Sequence, residues 1–264
     1  MLNADDPLVA AMSARTAARP LTYGFNRSAD ISAQGIESAG AAGMRFTVRT
    51  PLGRRVVATP VLGRHGVHNC LAATAVGVAS GCDLDQIVAG LAEGWTVAHR
   101  DQLVRAGEVA ILDDSYNASP ASVRAALGLL ADLPAARKVA VLGEMLELGE
   151  AADEGHRAVG TLAAGVADLL VAVGPGAAGL ADAALAAGTL LDRVLRATDA
   201  DEALELLRPR LRRGDLVLVK GSRGIGLDRL VDRLRAESES SVAPGRTPAP
   251  RAVRAAGVER EPHP

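Results

Sequence analysis

Aromatic residues are scarce in this sequence: 264 residues include two phenylalanines, two tyrosines and one tryptophan. The hydrophobic fraction is nevertheless 48%, so the core must be built mainly from small aliphatic side chains, a composition that suits α/β layers. A chain of this length can form two domains of ordinary size, each with its own core.

Cysteine and lysine are also rare. Cys70 and Cys82 belong to no C-x-x-C motif and have no histidine at metal-ligand spacing, so we expect two free thiols and no metal site. The lysines are Lys138 and Lys220, and the formal net charge is −2. Since nucleic-acid binding needs clustered cations, we expect no nucleic-acid partner.

Long apolar runs are missing as well. None reaches the roughly 18 residues that a membrane-spanning helix needs, and the N-terminus has neither the basic segment nor the apolar segment of a signal peptide. We therefore expect a cytoplasmic protein without membrane insertion. An N-x-D-D-P turn normally follows a buried strand, yet here it follows Met1-Leu2 directly. This start indicates that an earlier part of the fold is absent.

The first part of the chain, residues 1–96, reads as the end of one α/β domain. Short alternating segments within 22–60 predict antiparallel strands. Helices are predicted over 8–18, over 68–80 as a buried helix, and over 84–91 with Asp83 as the N-cap. Residues 94–96 read as a linker.

Residues 97–236 alternate between strand and helix patterns. Strands are predicted near 109–113, 138–142, 168–173, 193–196 and 215–219, with helices near 120–132, 151–165, 177–187, 199–211 and 225–236. This rhythm predicts a Rossmann-like, doubly wound parallel sheet. Residues 237–264 contain five prolines and little that could pack, so we predict a disordered tail.

Several polar motifs lie where such a fold binds ligands. In G-R-H-G-V-H-N, His65 and Asn69 stand before and at the start of the predicted helix, where they could hold a nucleotide, or Asn69 could merely cap the helix. His99-Arg100 follows the linker, and a hinge arginine could reach a phosphoryl group or be an ordinary surface residue.

Three loops follow predicted strands. In D-D-S-Y-N-A-S-P one of two aspartates, Asp113 or Asp114, could bind a ribose hydroxyl, and Ser119 could instead cap the next helix. G-E-M-L-E-L-G offers two carboxylates three residues apart, Glu144 and Glu147, for an ammonium group or a metal ion, or as solvated carboxylates. K-G-S-R-G supplies Lys220, Ser222 and Arg223 for a carboxylate or phosphate.

One further motif is weaker. G-P-G-A-A-G at 174–179 matches G-x-G-x-x-G, but it follows a late strand of the unit and its proline removes a backbone donor. We therefore interpret it as a tight turn, and an NAD-dependent enzyme is the least favoured function. No Walker A motif occurs in the sequence.

Together, in this order, these motifs resemble the Mur ligases of peptidoglycan synthesis. The resemblance runs from N-A-D-D-P through G-R-H-x-x-x-N, H-R, D-D-S-Y-N-A-S-P, L-G-E-M-L-E-L-G, H-x-x-x-G and K-G-S-R. The two longest strings select the branch that joins D-alanyl-D-alanine to UDP-N-acetylmuramoyl-tripeptide. One position departs from the family, which usually has asparagine where this chain has Gly66.

The resemblance implies an ATP- and Mg²⁺-dependent ligase that works through an acyl phosphate. It makes 1–96 the end of the central ATPase domain and 97–236 the C-terminal domain, and it implies that the P-loop, the magnesium ligands and the N-terminal domain are missing. By this likeness His65 and Asn69 lie at the nucleotide, Arg100 is the catalytic residue at the phosphates, and Asp114 lies at the ribose. The dipeptide would be faced by Asn117, Glu144, Lys220 and Ser222.

These expectations leave two functions open. The chain is the C-terminal portion of such a ligase, expected to be a monomer, or a non-catalytic binding module left by truncation of the gene.

Overall fold

The computed structural model describes residues 1–241 and arranges their strands in two sheets. The first sheet contains, in spatial order, β1 (Leu2–Asn3), β2 (Thr22–Gly24), β3 (Ile31–Ser38), β4 (Met44–Thr50) and β5 (Gly53–Thr59). The second contains β6 (Gln102–Ala106), β7 (Val109–Asp113), β8 (Arg137–Gly143), β9 (Leu169–Val173), β10 (Val194–Ala197) and β11 (Asp215–Lys220). Its spatial order is β10-β9-β8-β11-β7-β6.

The α-helices of the described chain lie between and after these strands. They are α1 (Pro7–Ala11), α2 (Gly63–Ala79), α3 (Leu84–Glu93), α4 (Pro120–Asp132), α5 (Ala152–Ala164), α6 (Ala178–Ala186), α7 (Ala200–Leu207) and α8 (Asp228–Ser241). Within residues 1–241 no helix combines the length and apolar character needed to cross a bilayer.

The first sheet is mixed, which corrects the prediction of antiparallel strands throughout 22–60. β3, β4 and β5 are antiparallel as predicted, whereas β2 pairs in parallel with both β1 and β3. An alternating pattern identifies a strand but carries no information about the direction of its neighbours. Here β1 precedes a crossover through α1, which brings the chain back in the same direction.

The second sheet confirms the predicted α/β class. β7 to β11 are mutually parallel, and apolar side chains pack on both faces. Along β8, Val139 and Val141 face one core while Ala140 and Leu142 face the other, as expected for a doubly wound sheet. The antiparallel edge strand β6 was not predicted; it is joined to β7 by a tight turn at Gly107, whose φ is +61°.

Helix α2 begins at Gly63, five residues before its predicted start. Asn69 therefore lies in the second turn rather than at the helix N-terminus, so the alternative that it caps the helix is wrong. Gly63 and Gly66 lower helix propensity, but at Gly66 a Cβ would approach Val61 Cγ2 to 3.3 Å. The missing side chain lets the first turn pack closely against the preceding segment.

Helix α8 extends to Ser241, into the stretch predicted to be a disordered tail. Glu237 in this extension forms an ion pair with Arg208, with a shortest N–O distance of 2.6 Å. Residues 242–264, where the rest of that prediction falls, lie outside the described residues.

Candidate functional site

A cleft of about 620 Å³ lies where the two sheets meet. It is lined by Asn69 of α2 and by Arg100 and Asp101 of the segment before β6, with Trp95 and Val97 contributing apolar surface. This volume lies within the usual range for small-molecule sites, ~300–1,000 Å³. The structure thus brings together Asn69 and Arg100, which the sequence analysis assigned to the nucleotide.

Arg100 is held by an unusual backbone segment. The residues on either side, His99 and Asp101, have φ values of +59° and +48°, a left-handed conformation that is costly outside glycine. His99 anchors the segment, because its Nδ1 lies 2.9 Å from the buried Asp113 carboxylate and its carbonyl accepts a 3.0 Å hydrogen bond from the Tyr116 N–H. The sequence predicts no role for His99 itself, and its position next to Arg100 is the feature that could have indicated one.

His65 connects α2 to the same segment. Its Nε2 lies 3.0 Å from Asp101 Oδ2. The hydrogen bond with Asp101 raises the pKa of His65 above its ordinary value, against the effect of burial, with Asp114 raising it further and Lys220 lowering it. His65, Asp114 and Lys220, all predicted site residues, therefore share one electrostatic neighbourhood.

We expect the His65→Gln variant to lose about 0.5–1 kcal/mol of stability near pH 6 and almost none near pH 8.5, because the ion pair is only partly buried. A raised folded pKa means that the contribution is fully present below the unfolded histidine value, about 6.5, and is lost as pH rises through the folded value. Urea unfolding at both pH values measures it.

Asp101→Asn provides the matched control for this prediction. The amide keeps a hydrogen-bonding side chain but removes the carboxylate, so replacing His65 in that background should cause a loss that does not vary with pH. A loss of equal size at both pH values in the parent protein would contradict the assignment.

Lys220, at the carboxyl end of β11, is buried beside the loop that follows β7. Its Nζ lies 2.5 Å from Asp114 Oδ2 and donates a 2.8 Å hydrogen bond to the Asn117 carbonyl. Burial raises the pKa of Asp114 to about 6, with Lys220 opposing the shift. The structure thus brings Asp114, Asn117 and Lys220 together, but the ammonium group is engaged within the protein rather than exposed to a ligand.

Glu144 and Ser222 organise the neighbouring loops. Glu144 follows β8, and its Oε2 accepts a 3.0 Å hydrogen bond from the Gly176 N–H. Ser222 donates its N–H to the Glu144 carbonyl at 3.1 Å, and its Oγ accepts a bond from the Leu146 N–H at 2.8 Å. A Cβ at Gly176 would lie 2.3 Å from Glu144 Oε1. The first two glycines of the G-x-G-x-x-G match, Gly174 and Gly176, therefore make room for the Glu144 side chain.

Within residues 1–241 no group of three or more histidine, cysteine, aspartate or glutamate side chains is arranged to hold a metal ion. Within the described residues, any Mg²⁺ would therefore be held by fewer than three such side chains, together with the phosphates of a bound nucleotide. Asn69 and Arg100, by contrast, suit a nucleotide in the cleft, because an amide can pair with a base edge and a guanidinium with phosphate.

Two family descriptions match the chain in succession. The family described as "Mur ligase middle domain" matches residues 1–77, and the one described as "Mur ligase, glutamate ligase domain" matches residues 99–223.

Individual relatives agree with these matches. The UDP-N-acetylmuramoyl-tripeptide–D-alanyl-D-alanine ligase of Mycobacterium tuberculosis is 39% identical over 258 residues, covering 90% of this chain and 51% of that protein. The ligase of the same name from Bacillus subtilis is 32% identical over 219 residues, covering 81% of this chain and 46% of that protein.

Among solved structures, MurF from Acinetobacter baumannii superimposes with a TM-score of 0.76 at 30% identity, covering 89% of this chain and 51% of that one. The chain thus spans about half the length of the relatives it matches. Both of its halves find their counterparts within one family, in the same order, and the chain belongs to the Mur ligase family.

Proposed function

We propose that this chain supplies the nucleotide-facing end and the acceptor domain of an ATP-dependent ligase that joins D-alanyl-D-alanine to UDP-N-acetylmuramoyl-tripeptide in peptidoglycan synthesis. In this proposal residues 1–96 end the central domain and residues 97–236 form the C-terminal domain. The protein acts as a monomer, and because the reaction consumes ATP, we place it in the cytoplasm.

One observation carries the proposal: Arg100 and Asn69 line one cleft from opposite sides of the junction between the two sheets. Bound ATP and Mg²⁺ would supply the phosphoryl group that activates the tripeptide carboxylate and a counter-charge for it. Asn69 binds the adenine edge, and Arg100 neutralises negative charge on the phosphates. The left-handed residues beside Arg100 and the His99–Asp113 bond hold it at the junction.

The acceptor side would lie at the carboxyl ends of β7, β8 and β11. There Asp114 hydrogen-bonds the ribose, while Asn117, Glu144 and Ser222 line the approach of the dipeptide. Lys220 acts through its ion pair with Asp114 and its bond to the Asn117 carbonyl, which keep the loop after β7 in shape. With the loop fixed in advance, the amine can be held close to the activated carboxylate.

The chain alone is expected to release no phosphate from ATP above background, even with muramyl-tripeptide and D-alanyl-D-alanine present. The reason is that its sequence contains no G-x-x-x-x-G-K-[ST] loop to hold the β- and γ-phosphates. A phosphate-release assay checks this. Release that depends on both substrates would contradict it, and would show that residues of this chain replace the P-loop.

A fusion of this chain to the first half of the M. tuberculosis ligase tests the proposed activity directly. We expect the fusion to form the amide product, and Arg100→Ala to lower kcat/KM by about 100-fold or more, as for the loss of one charge-stabilising group. Arg213→Ala, which removes an exposed arginine at the opposite end of β11, should leave activity unchanged. A folded fusion that makes no product would favour the non-catalytic binding module.

A further inference from the structure

Two arginines converge on the ring of Tyr116. The guanidinium carbon of Arg100 lies 4.3 Å from the ring centroid, and that of Arg223 lies 5.0 Å from it. Arg100 comes from the segment before β6, and Arg223 from the turn after β11, whereas Tyr116 belongs to the loop between β7 and α4. Three separate parts of the chain thus meet at one aromatic side chain.

This arrangement differs from that of two other arginines of the same sheet, Arg137 and Arg196. Arg137 pairs with the buried Asp215 at 2.7 Å, and Arg196 pairs with Asp182. Neither Arg100 nor Arg223 forms an ion pair with a carboxylate of residues 1–241. Neither guanidinium group donates a hydrogen bond to any of these residues. Two guanidinium groups therefore share one tyrosine ring as a contact.

A cation over a tyrosine face is attracted by the ring quadrupole, at an exposed site by about 0.5–1 kcal/mol. That attraction orients both side chains but leaves their N–H groups available. Planar guanidinium groups bind phosphate and carboxylate oxygens through paired charge-assisted hydrogen bonds.

We propose that Arg100, Tyr116 and Arg223 form a two-arginine oxyanion site, in which Arg223 is a second binding residue and Tyr116 is a positioning residue. The oxyanion is the phosphoryl group or the carboxylate of the dipeptide. The assignment of the oxyanion to one of these two groups rests on the proposed function. The binding of an oxyanion by the two arginines does not.

The site can be tested on the whole chain by calorimetric titration with three probes: inorganic phosphate, D-alanyl-D-alanine and the C-terminal amide of that dipeptide. We expect Arg223→Ala to weaken binding of at least one oxyanion by about tenfold, the usual effect of losing a hydrogen bond to a charged group. Weakening for phosphate identifies the phosphoryl group. Weakening for the dipeptide but not for its amide identifies the carboxylate.

Substitutions of Tyr116 show whether its ring positions the two arginines or only packs against them. Tyr116→Phe keeps the π-face and should bind as the parent does, whereas Tyr116→Leu keeps an apolar side chain and should lose several-fold in affinity. Arg213→Ala controls for the loss of one positive charge. The inference is overturned if the parent chain binds none of the oxyanions, if Arg223→Ala binds them as well as the parent does, or if the Phe and Leu variants behave alike.

The outcomes also distinguish this site from the proposed function. If the fusion to the first half of the M. tuberculosis ligase ligates normally with Arg223→Ala in place, the inference is wrong and the proposed function is unaffected. An inactive fusion, together with phosphate affinity that depends on Arg223, would remove the function and leave the site standing.

Discussion

Replacing Lys220 by methionine is expected to lower the free energy of unfolding by about 3 kcal/mol or more at pH 7, because it leaves a buried carboxylate without its cation. The Lys220 side chain is 2% exposed and that of Asp114 is 13% exposed. Methionine fills similar space, so the loss reports the missing charge and the missing bond to the Asn117 carbonyl. Urea unfolding followed by circular dichroism measures it.

A second substitution shows whether the charge is responsible. Adding Asp114→Asn to the Lys220→Met variant should recover much of the loss, because no uncompensated carboxylate then remains in the interior. Arg196→Met provides an exposed control, since the Arg196–Asp182 pair has the same 2.5 Å separation but side chains 48% and 66% exposed. It should lose no more than about 1 kcal/mol. If Lys220→Met lost no more than this control, the ion pair would not be supporting the loop.

The pH dependence of the loss has a definite sign. Burial raises the pKa of Asp114 to about 6. At pH values between the ordinary pKa of aspartate and about 6, the folded state therefore binds a proton that the unfolded state has released. Stability from this group therefore falls as pH rises through that window. The loss caused by Lys220→Met should be smaller at about pH 5, where Asp114 is mostly neutral, than at pH 7.

Gly160→Ala is expected to destabilise the protein by about 3 kcal/mol, because the added methyl group has no room. Gly160 lies in α5, and a Cβ there would be 2.1 Å from the backbone oxygen of Leu180 in α6. Since a backbone carbonyl cannot rotate away as a side chain can, the two helices would have to separate. Thermal and urea unfolding would report the change.

Gly128 in α4 is the matched control for Gly160. It is an exposed helical glycine, and a Cβ at this position would meet nothing within 4 Å. Gly128→Ala should therefore stabilise the protein by about 0.5–1 kcal/mol through helix propensity. Similar effects at the two positions would mean that α5 and α6 are not in close contact.

Features that depend on neighbouring residues could be predicted from the sequence. Asp83 caps α3, and Ser119 caps α4 with Pro120 in its first turn, because a capping side chain bonds to amides two or three residues away. The alternation of strands and helices after residue 97 predicted the parallel sheet for the same reason. The polar loops at the ends of β7, β8 and β11 could be recognised as ligand-binding candidates once the strands were placed.

Features that depend on distant residues could not be predicted. The direction of β2 and the edge strand β6 depend on how segments pair, and the early start of α2 depends on packing against Val61. The contact between Glu144 and Gly176 required knowing which turn lies over which strand end. The contacts of Tyr116 with Arg100 and Arg223 likewise join three loops that no sequence spacing relates.

The sequence by itself determined the family, the α/β class and the identity of the loops that carry polar side chains, because these follow from local periodicity, capping and motif. The tertiary structure alone decided what those side chains contact. It placed β11 between β7 and β8, so that Lys220 meets Asp114 and Arg223 reaches the ring beside Arg100. Strand order is set by the packing of helices and sheet over the whole domain, and for that reason the site is assembled only when the chain is folded.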